Sequence, residues 1–95
     1  DPDWSRGLGD VYKRQVAQSM ARELGPQGIH VAHFVIDGAI DTAFIKEMFP
    51  DTYALKEKDG ILQPDSIADA YWFVHTQHRS SWTHELDLRP YMEKF

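Results

Sequence analysis

The sequence predicts an α/β chain, an incomplete doubly wound parallel sheet in the order helix, strand, helices, helix, strand. Three observations lead there. Val16, Met20 and Leu24 recur at i, i+4 and i+8 and stop at Gly25–Pro26. The run Ile29–Ile36, IHVAHFVI, is apolar on both alternating sets of side chains. A second periodic helix opens at Pro64 and is followed by the alternating string Glu85–Leu88. A strand apolar on both faces belongs to a parallel sheet with helices on each side.

The elements run in order along the chain. DPDWSRGLGD has two glycines, one proline and no periodicity, and reads as irregular. A helix is expected over residues 11–24, with Ala17 and Ala21 beside the apolar stripe and Gln18, Arg22 and Glu23 on the wet side. Gly25 would take the left-handed position after it, and Pro26 cannot continue it. The strand 29–36 ends at Asp37–Gly38. TAFIKEMF then reads as a short helix capped by Thr42 and ended by Pro50. Residues 51–63 are polar, mixed and weakly helical, a surface excursion. Pro64 and Asp65 suit a helix start. Ile67, Ala70, Tyr71 and Val74 give that helix one buried face. HRSSWT is a loop, Leu86 and Leu88 point inward from a last short strand, and the tail YMEKF could pack on a neighbour.

Composition narrows the function. The chain has 95 residues, so it is one small domain or a piece of a larger one. At 42% hydrophobic and 13% aromatic residues it is built to be packed, not disordered. A domain of this size buries only about 60–65% of its unfolded surface, which leaves it marginal alone. The net charge of −5 and the scattered basic residues argue against nucleic acid. There is no cysteine, hence no disulfide scaffold or thiolate metal site. No apolar run approaches the roughly 20 residues of a membrane span. The N-terminus lacks the basic-then-apolar pattern of a secretory leader, and a cytoplasmic location is expected.

Four strings, in this order, resemble the C-terminal part of the short-chain dehydrogenase/reductase family. Ala17–Val31 (AQSMARELGPQGIHV) is similar to the helix and turn that follow the family's Tyr-x-x-x-Lys. Asp37–Thr42 (DGAIDT) resembles its Pro-Gly-x-Ile/Val-x-Thr loop, with Asp37 in place of proline. QPDSIADAYWFV resembles its Pro-(Glu/Asp)-x-Ile-Ala helix, and SWTHELDLRP its final loop and strand, without the Gly-Gly many members carry. The resemblance covers about residues 16–95 and implies a Rossmann-like fold, an NAD or NADP cofactor and a small-molecule carbonyl or alcohol substrate. It implies a homo-dimer or homo-tetramer for the parent, and makes Asp37, Gly38, Ile40 and Thr42 the cofactor-binding positions. Gly38 and Ile40 would offer backbone and side-chain contact at the nicotinamide end. The Thr42 hydroxyl would bond the carboxamide or a phosphate oxygen. The physical argument agrees: ligands of open parallel sheets bind beyond the carboxyl ends of the strands, and a glycine there lets the backbone approach. The alternative is a plain strand-to-helix turn in which Thr42 only caps. Asp37 is expected to bond the loop's own amides.

The family's acid/base tyrosine would fall at position 6 and its lysine at position 10, where Arg6 and Asp10 stand. Tyr12 and Lys13 are adjacent and out of register. Gly7-Leu8-Gly9 lacks the preceding strand and third glycine of a dinucleotide fingerprint. No catalytic residue is therefore assigned, and the 95 residues are expected to be inactive. Asp10–Gln15, DVYKRQ, is what GAT-GTG-TAT-AAG-AGA-CAG encodes, which resembles a transposon-end sequencing adapter. Residues 1–15 are on that reading an irregular, artefactual segment, and residues 16–95 the C-terminal part of the dehydrogenase domain.

Other groupings carry less. His75, His78 and His84 lack the carboxylate spacing that would complete a metal set, and a solvated helix end accounts for them. His30 and His33 lie on opposite faces of the strand, each expected to be hydrogen-bonded. Ser66, Ser80 and Ser81 have no positioned base. Tyr71-Trp72-Phe73 reads as packing. Phe44, Met48, Phe49, Tyr53 and Leu55 stand where the family carries a substrate lid, and could equally belong to amphipathic surface helices. A non-catalytic α/β interaction module, docking through the helix Val16–Leu24 and the last strand, is the alternative function, and exposure of Met20, Trp72 or Trp82 would favour association.

Overall fold

A computed structural model describes residues 3–93, with side chains from Val11 onward. Asp1, Pro2, Lys94 and Phe95 lie outside the described residues, as do the side chains of Arg6 and Asp10. The order is α1 (Asp3–Leu24), β1 (His33–Ile36), α2 (Ala43–Met48), α3 (Pro50–Tyr53), α4 (Pro64–His75) and β2 (Glu85–Leu88). Short 3-10 turns lie at Gly25–Gln27, Ala54–Lys58 and Arg79–Ser81. The strands β1 and β2 form one two-stranded parallel sheet. The chain divides into two compact units, residues 1–33 with 77–86 and residues 34–76 with 87–95.

The first unit holds α1 and corrects the reading of the N-terminus. The helix begins at Asp3, not near residue 11, and passes residue 15 without a break. No proline interrupts residues 3–24, and glycine costs a helix only about 1 kcal/mol relative to alanine. The side chains turned inward also differ. Ala17, Gln18, Ala21 and Leu24 are half-buried, whereas Val16 and Met20 are 41% and 45% exposed. The helical period holds, but the buried stripe is rotated by one residue, onto the two small alanines. The left-handed stop falls on Gly28 (φ 85°) rather than Gly25, because Gly25–Gln27 continue as a 3-10 turn. The amide of Gly28 donates to the Gly25 carbonyl at 2.9 Å.

The strand is shorter than its apolar run. Ladder pairing starts where the His33 amide donates to the His84 carbonyl at 2.7 Å, so residues 29–32 are lead-in, and Ile29 is 48% exposed. His30 is held as expected: its Nε2 lies 2.8 Å from the Thr83 carbonyl, and its ring stacks on Trp82 at 4.5 Å. His33 departs from expectation. Its Nδ1, like that of His84, is buried with no partner.

The core sits in the second unit, where Ile61 and Val74 are each 4% exposed, and Gly60 and Pro90 are buried with them. Gly60 and Ile61 are thus core and not part of a surface excursion. Leu62 pairs with the loop after β1, its amide donating to Ala39 and its carbonyl accepting from Asp41, both at 2.8 Å. Helix α4 starts at Pro64 as predicted. Val74 fills the core, but Tyr71 is 48% exposed while its ring stacks on Phe34 at 3.8 Å. In β2 the side chains of Leu86 and Leu88 turn inward and those of Glu85 and Asp87 outward. Among the described residues no helix is long and apolar enough to cross a membrane.

Gly38 is the sharpest constraint in this unit. Its φ is 138°, and a Cβ there would lie 2.9 Å from Pro90 Cδ and 3.6 Å from Leu62 Cδ1. Gly38→Ala is expected to destabilise the chain by about 1–3 kcal/mol, from backbone strain and the clash together. Gly9→Ala, in a helix with open space around the added methyl, should instead stabilise it by about 0.5–1 kcal/mol. Urea unfolding of the two variants beside the parent chain measures both, and equal effects would contradict the assignment.

Candidate functional site

The candidate residues all lie in the loop that leaves β1. The Asp37 amide donates to the Leu88 carbonyl at 2.9 Å and closes the ladder. The Asp37 carboxylate turns to Arg89, Oδ2 to Nη1 3.2 Å, and not to the loop's own amides. A charge-assisted bond to a guanidinium outcompetes neutral amides, and it neutralises the carboxylate at the head of the loop. Arg89 also grips Asp87, and that hydrogen bond is the main reason its guanidinium is still harder to deprotonate than usual.

At Gly38 the space that a side chain would need is filled by the Pro90 ring, so packing alone already demands glycine there. Ile40 is differently placed. The bridge to Leu62 uses the Ala39 carbonyl and the Asp41 amide. In an extended chain adjacent residues present their polar groups to opposite sides, so the amide and carbonyl of Ile40 face away from residue 62. They take no backbone bond within the loop. Thr42 is extended (φ −137°, ψ 161°) and caps α2, its Oγ1 accepting from the Ile45 amide at 3.3 Å. Capping uses the oxygen as an acceptor only. The hydroxyl hydrogen takes no part in that bond.

Ile40 and Thr42 open onto an apolar cavity of about 740 Å³ whose opposite wall is α4: Pro64, Ile67, Tyr71 and His75. That volume lies within the range of about 300–1,000 Å³ for small-molecule sites. Asp37 and Gly38 do not line it. The structure thus brings two of the four candidates together at a concave surface and leaves two in the scaffold behind them. The α4 wall is absent from the sequence-based site, although Pro64, Ile67, Tyr71 and His75 fall at helical spacing on one stripe. The available signal is Tyr71 and His75 at i and i+4, two amphipathic rings on a face otherwise apolar.

The lid candidates stand elsewhere. Phe44, Met48 and Phe49 are 61%, 61% and 51% exposed, and none of the five lines the cavity. Tyr53 lies beneath the ammonium groups of Lys46 and Lys56, at 5.9 and 5.6 Å from its ring centre. The first unit has its own cavity of about 320 Å³ beside the His30–Trp82 stack, containing none of the candidate residues. Among the described residues no three His, Asp or Glu side chains group as a metal site.

Next to the loop, Lys56 Nζ meets Asp41 Oδ2 at 2.9 Å. This hydrogen bond, then the charge of Asp41, then Tyr53, raise the Lys56 pKa above the ordinary 10.5. The folded chain therefore holds this proton more tightly than the unfolded chain. The stabilisation is complete below 10.5 and is lost as the pH rises through the folded-state value. An NMR titration of the Lys56 side chain should show a pKa above 10.5 that falls back in Asp41→Asn. An unshifted value in the parent chain would contradict the ion pair.

No family model matches the chain, and no curated protein does. A solved structure is similar. It is the short-chain dehydrogenase from Rhodopseudomonas palustris. The two are 42% identical with a TM-score of 0.50, and the likeness covers 82% of this chain and 26% of that one. This chain therefore spans about a quarter of that protein's length. At such identity the likeness is one of sequence as well as of fold.

Proposed function

We propose that this chain is the C-terminal part of an NAD(P)-dependent short-chain dehydrogenase/reductase, a Rossmann-like fragment of an oxidoreductase. The parent moves hydride between a nicotinamide cofactor and a small-molecule carbonyl or alcohol. The observation that carries the reading is the 42% identity over 82% of the chain to a short-chain dehydrogenase. The order of four family-like strings, the second of them a loop that opens on a cavity, agrees with it.

The residues fit the nicotinamide end of such a cofactor. A carboxamide offers one carbonyl acceptor and one amino donor. The unpaired amide and carbonyl of Ile40 supply the complementary pair, and the Thr42 hydroxyl retains a hydrogen to donate. The cofactor, when bound, supplies the hydride; these residues orient and partly desolvate it. Asp37 and Gly38 act one step back, Asp37 neutralised by Arg89 and Gly38 seated on Pro90. The proton-transfer residues belong to the parent, since Arg6 and Asp10 stand at the tyrosine and lysine positions. A hydride transfer without a positioned proton donor leaves the developing alkoxide unprotonated, so the 95-residue chain is inactive. The parent is a soluble cytoplasmic homo-dimer or homo-tetramer that takes neither nucleic acid nor membrane as partner. The boundary near Val16, with foreign adapter-encoded sequence before it, is part of the same proposal.

A non-catalytic interaction module is the second reading. The 67% exposure of Trp72 and the 45% exposure of Met20 favour it, since apolar surface of that size is normally covered.

Reading the genomic DNA upstream of the Val16 codon should reveal a Tyr-x-x-x-Lys in register. The full-length protein should then oxidise NADH or NADPH in the presence of a carbonyl compound. Thr42→Ala should lower its kcat/KM about tenfold, the worth of one hydrogen bond of roughly 1.4 kcal/mol. The 95 residues alone should give no turnover. An upstream sequence without the motif, or a full-length protein without nicotinamide-dependent activity, would favour the interaction module.

A further inference from the structure

Arg89 directly follows β2 and is held there from both sides. Pro90 after it is seated against Gly38, and a residue that precedes proline is confined to extended backbone. Asp87, two residues before it, shares its face of the extended chain. Across the ladder the Asp37 amide donates to the Leu88 carbonyl at 2.9 Å, which brings Asp37 beside Arg89. The guanidinium fork serves both carboxylates. Its Nε and Nη2 donate to the two oxygens of Asp87, and its Nη1 lies 3.2 Å from Asp37 Oδ2.

The direction of the Asp37 carboxylate matters because of what it would otherwise reach. An aspartate that leads into a turn commonly accepts from the backbone amide two residues on. Here that amide belongs to Ala39, and among the described residues the amides of Ala39 and Ile40 have no partner. Ala39 also carries the carbonyl that accepts from Leu62 at 2.8 Å, so a bond from its amide back to Asp37 would pull on the bridge that fixes the loop. It would also set a negative charge one residue from Ile40. Removing Arg89 would leave Asp37 and Asp87 as like charges on neighbouring strands, which drives Asp37 further toward the loop.

We infer that Arg89 is a positioning residue for the cofactor loop: it holds the Asp37 carboxylate against the end of β2 and so keeps the amides of Ala39 and Ile40 free for the nicotinamide end of the cofactor. It acts through Asp37. A partly solvated ion pair adds little to stability; this one decides which donor a carboxylate takes. The ion pair stands in the structure by itself, and its benefit to binding rests on the proposed cofactor contact.

Two measurements on the full-length protein test this. In nitrogen–proton spectra without cofactor, Arg89→Gln should move the Ala39 amide proton downfield and slow its exchange about tenfold. Adding Asp37→Ala should undo both effects. In steady-state kinetics Arg89→Gln should raise KM for NADH or NADPH about fivefold to tenfold, with kcat changed by no more than about twofold. The double variant has no carboxylate at position 37 to fold back, and should recover most of that loss. Arg89→Lys keeps a cation without the fork and should raise KM less, and it carries the test if the glutamine variant fails to fold. An Ala39 amide that does not respond, an unchanged KM, or a KM that stays raised in the double variant would overturn the inference. No nicotinamide turnover in any variant would overturn the cofactor reading and with it the role in binding. The Ala39 amide alone would then decide whether Arg89 controls Asp37.

Discussion

At the carboxyl ends of the two strands the Pro90 ring occupies the volume in which any other residue at position 38 would carry its Cβ. This close approach governs the path of the whole loop. It lets the chain leave β1 at φ 138°, where side chains are rarely tolerated, and run back toward Leu62. The short parallel bridge between Ile40 and Leu62 then fixes the direction of the loop, and Thr42 starts α2 directly beyond it. One glycine against one proline thus sets where Ile40 and Thr42 stand. The ion pairs Asp37–Arg89 and Asp41–Lys56 brace the loop from the polar side. Both are partly solvated, which limits what each contributes to stability.

The arrangement separates two jobs that a sequence motif runs together. In a string such as DGAIDT every residue looks equally placed to meet a ligand. In space the path of the loop divides them. Asp37 and Gly38 face the end of β2, while Ile40 and Thr42 reach the cavity. Thr42 can do two things at once, because its oxygen accepts from the helix while its hydrogen remains to donate. The capping role and the ligand role, which look like competitors in the sequence, are compatible in one hydroxyl.

Much of this is legible in the amino-acid order, and the departures share a cause. Local chemistry marks the start of α4 at Pro64, the Thr42 cap and the alternation of β2. Each depends on a few neighbouring residues, and each stands in the structure where those residues put it. Quantities set by distant partners are not legible in this way. The apolar run from Ile29 reads as eight residues of strand, but ladder pairing extends only as far as β2 offers partners, beginning at His33. The stripe Val16–Met20–Leu24 has the right period for α1, yet the small side chains of Ala17 and Ala21 determine the face that turns inward. A loop motif assigns Asp37 to local amides because Arg89, fifty-two residues away in the chain, cannot be seen from it. The wall of the cavity is hidden for the same reason: α4 shows its apolar stripe in sequence but not what it faces.

The loop after β1 is proposed to meet the nicotinamide end of a cofactor through Ile40 and Thr42. Isotope-edited NOE spectra of the full-length protein with bound NADH or NADPH test this most directly. Contacts are predicted from the nicotinamide ring protons to the methyl groups of Ile40 and Thr42. A bound cofactor whose ring protons touch neither residue would contradict it.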